Sequence, residues 1–123
     1  MAKYAIFLDD IRDPPKTFGD EVVICRSYEE FVAVIENHGA PNFISFDHDL
    51  GYKGKHLQPS GMDCAKWLVN WVLDNKDRLP NDFKFVVHSM NPAGAANIQS
   101  LMDTFLEHMK DEQYGAVRGL IKE

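Results

Sequence analysis

Three short apolar runs in this chain end abruptly in residues that can do chemistry: Asp9-Asp10, Asp47-His48-Asp49 and His88-Ser89-Met90-Asn91. Two carboxylates about 4 Å apart repel by roughly 4 kcal/mol at an effective dielectric of about 20. Asp9, Asp10, Asp47 and Asp49 can therefore crowd together only if some hold protons or a cation sits among them. A set of hard oxygen donors suits Mg²⁺, Mn²⁺ or Ca²⁺, and Mg²⁺ is commonly shared between one or two carboxylates and a phosphate. The expectation is a divalent metal, Mg²⁺ first and Mn²⁺ second, used to handle a phosphate. The bland alternative is that each Asp caps a neighbouring helix or turn. Three polar strand ends at one sheet edge argue against it, because ligands of open α/β sheets bind in the crevice outside the carboxyl ends of the strands.

The histidines add what plain metal binding does not need. His48 lies between two acids and His88 precedes Ser89. Imidazoles titrate near neutrality, so such a pair can supply a general base and a general acid. Either ring can instead ligate a softer ion such as Zn²⁺ or Mn²⁺. Arg12 follows the first acidic pair closely enough to clamp a phosphate, or to pair with Asp10 or Asp13. Lys53, Lys55 and His56 share the segment from Gly51 to Pro59 with two glycines, a loop that can attract an anion and close over it or simply be solvated. Trp67 and Trp71, four residues apart on a helical pattern, are read as packing residues.

The elements that must bring these residues together alternate along the chain. Strands are expected at Tyr4–Leu8, Val22–Cys25, Phe43–Phe46 and Phe83–Val87, with a short final strand at 116–121. Their unbroken apolar character suits a parallel sheet buried on both faces. A helix should start at Ser27, with Glu30 completing a capping box and Gly39 following its end. A second should be capped by Ser60 and Asp63 and bury Met62, Ala65, Leu68, Val69 and Val72. A third should open at Asn91-Pro92 and bury Ile98, Leu101, Met102, Phe105 and Met109. Pro14 and Pro15 leave little room for a helix before Val22, so a first helix is expected to be short or missing.

With 123 residues, 45% of them hydrophobic, the chain matches one domain, 1–123, and the alternation predicts an α/β fold. No apolar run approaches the ~20 residues of a membrane span, and the first one is too short for a signal peptide. A cytoplasmic protein without a membrane partner is expected. Cys25 and Cys64 lack metal-type spacing and read as buried thiols. The net charge of −6 argues against an extended nucleic-acid surface, though one small phosphorylated ligand is compatible with it.

The placement of Asp9-Asp10, Asp47 and Ser89 resembles that in bacterial response-regulator receiver domains. The resemblance implies a flavodoxin-like sheet with helices on both faces, Mg²⁺ held by the acids, and a phosphoryl group accepted by Asp47 and sensed by Ser89. The strings Leu8-Asp-Asp-Ile-Arg12, Phe46-Asp-His-Asp-Leu-Gly51 and His88-Ser-Met-Asn91 are more similar to a receiver-like group predicted to process cyclic phosphates of nucleotides or RNA ends. That likeness implies metal-assisted hydrolysis of a cyclic phosphodiester. Asp9, Asp10 and Asp47 would hold the metal, and His48 and His88 would transfer protons. Arg12 and Ser89 would contact the phosphate, with Lys53, Lys55 and Asn91 also on the substrate side, and Asp49 or Asn91 would orient the histidines. The rival reading, from another class, is a non-catalytic or phosphoacceptor module that signals or binds a partner.

Overall fold

Four-residue apolar runs cannot stand alone, because a strand satisfies its backbone groups only against neighbours. In the computed structural model, Ala5–Leu8 (β1), Val22–Cys25 (β2), Phe43–Phe46 (β3) and Lys84–Val87 (β6) meet that demand in one parallel sheet of order β2-β1-β3-β6. The structure describes residues 3–16, 21–74 and 79–122, leaving aside the side chains of Lys53 and of 110–122. Leu8 pairs with both Cys25 and Phe46, and Phe46 with Val87, so the four strands end level.

The helices begin where capping chemistry places them. Ser27 accepts the Glu30 amide, so α1 runs Tyr28–His38, and Gly39 closes it at φ 83°, a conformation that L side chains rarely adopt. Ser60 and Asp63 exchange capping bonds at the start of α2, Gly61–Asp74. Asn91 accepts the Gly94 amide to open α3, Pro92–Lys122. Alternate strand residues Ile6, Leu8, Cys25, Ile44 and Phe46 face one core with Phe31 and Ile35 of α1, Cys64, Leu68 and Val72 of α2, and Ile98, Met102 and Phe105 of α3. Each fully buried side chain of this kind contributes about 1.5–3 kcal/mol. Met62, Val69, Leu101 and Met109 pack against this core only partly buried. All three helices contribute side chains to this one core. The opposite face of the sheet carries Phe7 and Ser45, buried, and the exposed Val86.

Two expectations change. The strand expected at 116–121 is absent, because α3 continues through it; Gly115 and Gly119 only weaken a helix, and no proline follows Pro92 to stop it. The segment from Gly51 to Pro59 is not all loop. It contains an antiparallel hairpin of Tyr52–Lys53 (β4) and His56–Leu57 (β5), turned at Gly54 with φ 64°. No helix is described between β1 and β2, as the prolines required. No helix among the described residues is long and apolar enough to cross a membrane. Trp67 and Trp71 stack at 6.0 Å and pack against the core, as expected.

Candidate functional site

The sheet order reverses at β1. From it the chain moves outward to β2, then crosses back to β3, which opens a crevice at the carboxyl ends of β1 and β3. The backbone carries the ladder one step past the strands: the amides of Asp9, Asp47 and His88 donate to the carbonyls of Cys25, Leu8 and Phe46. Asp9, Asp47 and His88 therefore stand in one row across three neighbouring strands. Period-two alternation turns this row to the face of Phe7 and Ser45, away from the helix core.

The row converges. One ligand atom each from Asp9, Asp47 and His88 lies within 4.8 Å of the others, the one such group of His, Cys, Asp and Glu side chains found among the described residues. Asp9, fully buried, is densely satisfied. Its Oδ1 accepts the amides of Ile11 at 3.0 Å and Arg12 at 2.8 Å, and its Oδ2 meets Arg12 Nε at 2.9 Å and His88 Nε2 at 3.0 Å. Burial alone would push its carboxyl up, but these amides, the His88 ring and the Arg12 charge together hold it below the usual range. Asp47 has less support. Its Oδ1 accepts the His48 amide at 2.9 Å and its Oδ2 faces Arg12 Nη2 at 3.7 Å. Burial, with the charge of Asp9 beside it, outweighs these partners and pushes its carboxyl up. Arg12 thus spans both carboxylates, rather than pairing with Asp10 or Asp13.

His88 is fixed from both sides. Its ring stacks on Phe7 at 4.6 Å and 5°, Nδ1 meets Ser45 Oγ at 2.6 Å, and Nε2 meets Asp9. His48 stands on different partners. Its Nδ1 lies 2.9 Å from Asp49 Oδ1, and Asn91 Nδ2 donates to Asp49 Oδ2 at 3.3 Å. The hydrogen bond with His48, helped by Asn91, holds the Asp49 carboxyl below its usual range. An ionised Asp49 can only accept, so Nδ1 of the His48 ring carries a hydrogen, and in the neutral ring the lone pair is on Nε2. Gly94 makes room for this ring: a Cβ there would sit 2.4 Å from His48 Cγ.

The remaining expected residues are placed less centrally. The Asp10 carboxylate lies beside Gly51, where a Cβ would come within 2.8 Å of Oδ2, and it is outside the converging group. Ser89 Oγ accepts the Asn91 amide at 3.0 Å. Lys55 is exposed at the hairpin turn, and the side chain of Lys53 lies outside the described residues. Sequence reasoning missed four contributors: Ser45, Phe7, Gly94 and Arg26. Arg26, just past β2, donates from Nη1 to the carbonyls of Asp9 and Arg12 and from Nη2 to Asp13 Oδ1 at 2.6 Å. It thereby fastens the turn that carries Asp9 and Arg12. Only Ser45 left a trace in the sequence, as a lone hydroxyl inside an apolar strand.

Comparison with known proteins fits this geometry. Residues 4–104 match the family described as the cyclic-phosphate processing receiver domain. No curated protein matches. Among solved structures, one titled as a trimeric coiled-coil segment of yeast Spc42 fused to another structure is similar at 18% identity and a TM-score of 0.52, covering 95% of this chain and 80% of that one. At that identity the likeness concerns the fold alone.

Proposed function

The chain belongs to the cyclic-phosphate processing receiver family, and from that premise we propose that it is a metal-dependent hydrolase of nucleotide cyclic phosphates. The observation that carries the proposal is the row of Asp9, Asp47 and His88, two buried carboxylates and an imidazole with ligand atoms within 4.8 Å. Two oxygen donors and one nitrogen donor fit a divalent ion. Mg²⁺ is the first expectation, and the imidazole favours Mn²⁺ as well. When bound, such an ion would neutralise charge on the phosphoryl oxygens.

The chain's own residues supply the rest. The Arg12 side chain is 45% exposed, so it can swing from the carboxylates toward a phosphate and grip it bidentately. His88, held by Asp9 and Ser45, orients with the acids. Proton transfer falls mainly to His48, whose Nε2 is left as a base by the bond of Nδ1 to Asp49. Asn91 steadies Asp49. In the reaction a water oxygen bonds to phosphorus, one ester P–O bond breaks, and the proton taken by His48 returns through solvent to the released ribose oxygen. The product is a phosphomonoester.

The test is a panel of 2′,3′-cyclic nucleotides with Mg²⁺ or Mn²⁺, followed by phosphorus NMR. Metal-dependent opening is expected. His48→Ala should lower turnover by about 10²–10⁴ without loss of metal binding. His88→Ala should weaken metal binding itself. Absence of any metal response in thermal melts would sink the proposal. One observation favours a second reading, a phosphoacceptor module: Asp47 Oδ2 is the less engaged carboxylate oxygen of the row. A stable acyl phosphate at Asp47 after treatment with acetyl phosphate would favour it.

A further inference from the structure

An open groove of about 670 Å³ lies between the start of α1, the hairpin β4–β5 and one side of α2. Its apolar wall is made by Tyr28, Leu57 and Trp67, and its polar edge by Gln58, Lys66 and Asn70. The mechanism above uses none of them. Leu57 is 66% exposed and lines the groove. Trp67 is held rigidly, edge-on to Phe31 at 6.2 Å and stacked on Trp71. Asp63, which also lines the groove, is engaged in capping α2 through Ser60.

The groove is joined to the site by short steps. Gln58 donates its amide to the carbonyl of Gly51 at 2.9 Å, and Gly51 rests against the Asp10 carboxylate. At the other end, Gly61 begins α2 so close to Asp47 that a Cβ would lie 1.6 Å from the Asp47 carbonyl oxygen. Both routes lead to strand-end acids at the sheet's carboxyl edge.

From the backbone adjacency of groove and site, and from the aromatic and carboxamide lining, we propose that the groove is the subsite for the nucleobase of the substrate. A flat heterocycle can lie on the aromatic wall, since every base has a face that stacks. The carboxamides of Gln58 and Asn70 each offer donors and an acceptor to a base edge. The proposal rests on the reading of the substrate as a nucleotide cyclic phosphate, and it narrows the class to substrates that carry a base.

Plain nucleosides separate the two ideas, because they have neither phosphate nor need of metal. Adenosine, guanosine, cytidine and uridine are titrated into the full chain while NMR follows the carboxamides of Gln58 and Asn70 and the indole of Trp67. Saturable shifts are expected with at least one nucleoside and not with ribose. Gln58→Ala combined with Asn70→Ala should weaken that binding about five- to ten-fold. For hydrolysis, a base-free ribose 2′,3′-cyclic phosphate should show a KM about 10- to 100-fold higher than the preferred nucleotide, with kcat little changed. Silence with all four nucleosides, equal shifts with ribose, or an unaffected double variant would overturn the subsite. Nucleoside binding without any hydrolysis would support the groove and overturn the hydrolase reading. Equal hydrolysis of the base-free compound would do the reverse.

Discussion

Asp47→Asn isolates the electrostatic cost of the row. The amide keeps an oxygen to accept the His48 N–H at 2.9 Å and removes only the charge. With Asp9 within 4.8 Å, the repulsion between the two carboxylates is about 3.5 kcal/mol at an effective dielectric of about 20. Arg12 at 3.7 Å returns about 4.5 kcal/mol on the same scale, but its side chain is 45% exposed and solvent screens that attraction to well below this figure. Burial adds its own cost to the charge, and the balance pushes the Asp47 carboxyl up. Without metal, the variant should therefore gain about 1–2 kcal/mol at neutral pH, roughly 3–6 °C in Tm. The folded value lies above the unfolded one, so ionised Asp47 penalises the folded state once pH exceeds both. As pH falls through the raised value to about 4, parent and variant should converge. Melts from pH 4 to 7, with and without Mn²⁺, measure both effects, and the ion should stabilise the parent alone. A lower Tm for the variant at pH 7, or a gain that ignores pH, would refute the reasoning.

Asp9→Asn should act in the opposite sense, because it leaves Arg12 and His88 facing an amide in a buried place; a loss of about 3 kcal/mol is expected by urea denaturation at pH 7. Asp9 is held below its usual range, so the stabilisation it supplies is full above the unfolded value, and the loss should shrink as pH falls through the folded one. Gly94→Ala would ordinarily favour a helix by up to about 1 kcal/mol, but its methyl would collide with the His48 ring. Tm should change little while the ring resonances of His48 shift and turnover falls; unmoved resonances would refute the contact. Arg26→Lys cannot reproduce a fork that reaches two carbonyls and a carboxylate. It should behave like Arg26→Ala, weakening Mn²⁺ binding several-fold, and full rescue by Lys would show that charge alone suffices there.

Much of this arrangement was legible in the amino-acid order. Strand, helix and cap positions followed from apolar runs and from Ser27, Ser60 and Asn91, because those signals are local. The acids at strand ends announced the site for the same reason. What was not legible depends on partners far apart in the chain. His88 and Asp9 are 79 residues apart, and nothing near His88 says that Ser45 will meet its other nitrogen. Asp10 reads like Asp9 in the sequence, yet alternation and the turn send it to Gly51. The strand expected at 116–121 failed because a short apolar pattern that suits a strand also suits a helix, and a single glycine such as Gly115 does not end one.

The row formed by Asp9, Asp47 and His88 fixes where this chain can change length. A side chain's face alternates residue by residue, so one residue added or lost within β1, β3 or β6 would turn its share of the site toward the helix core. Insertions outside the strands leave the row in place, as in the turn after Arg12 or the hairpin after Gly51. Variation in the length of such a domain should therefore gather in stretches like these, where it can reshape the surroundings of the site without disturbing the row itself.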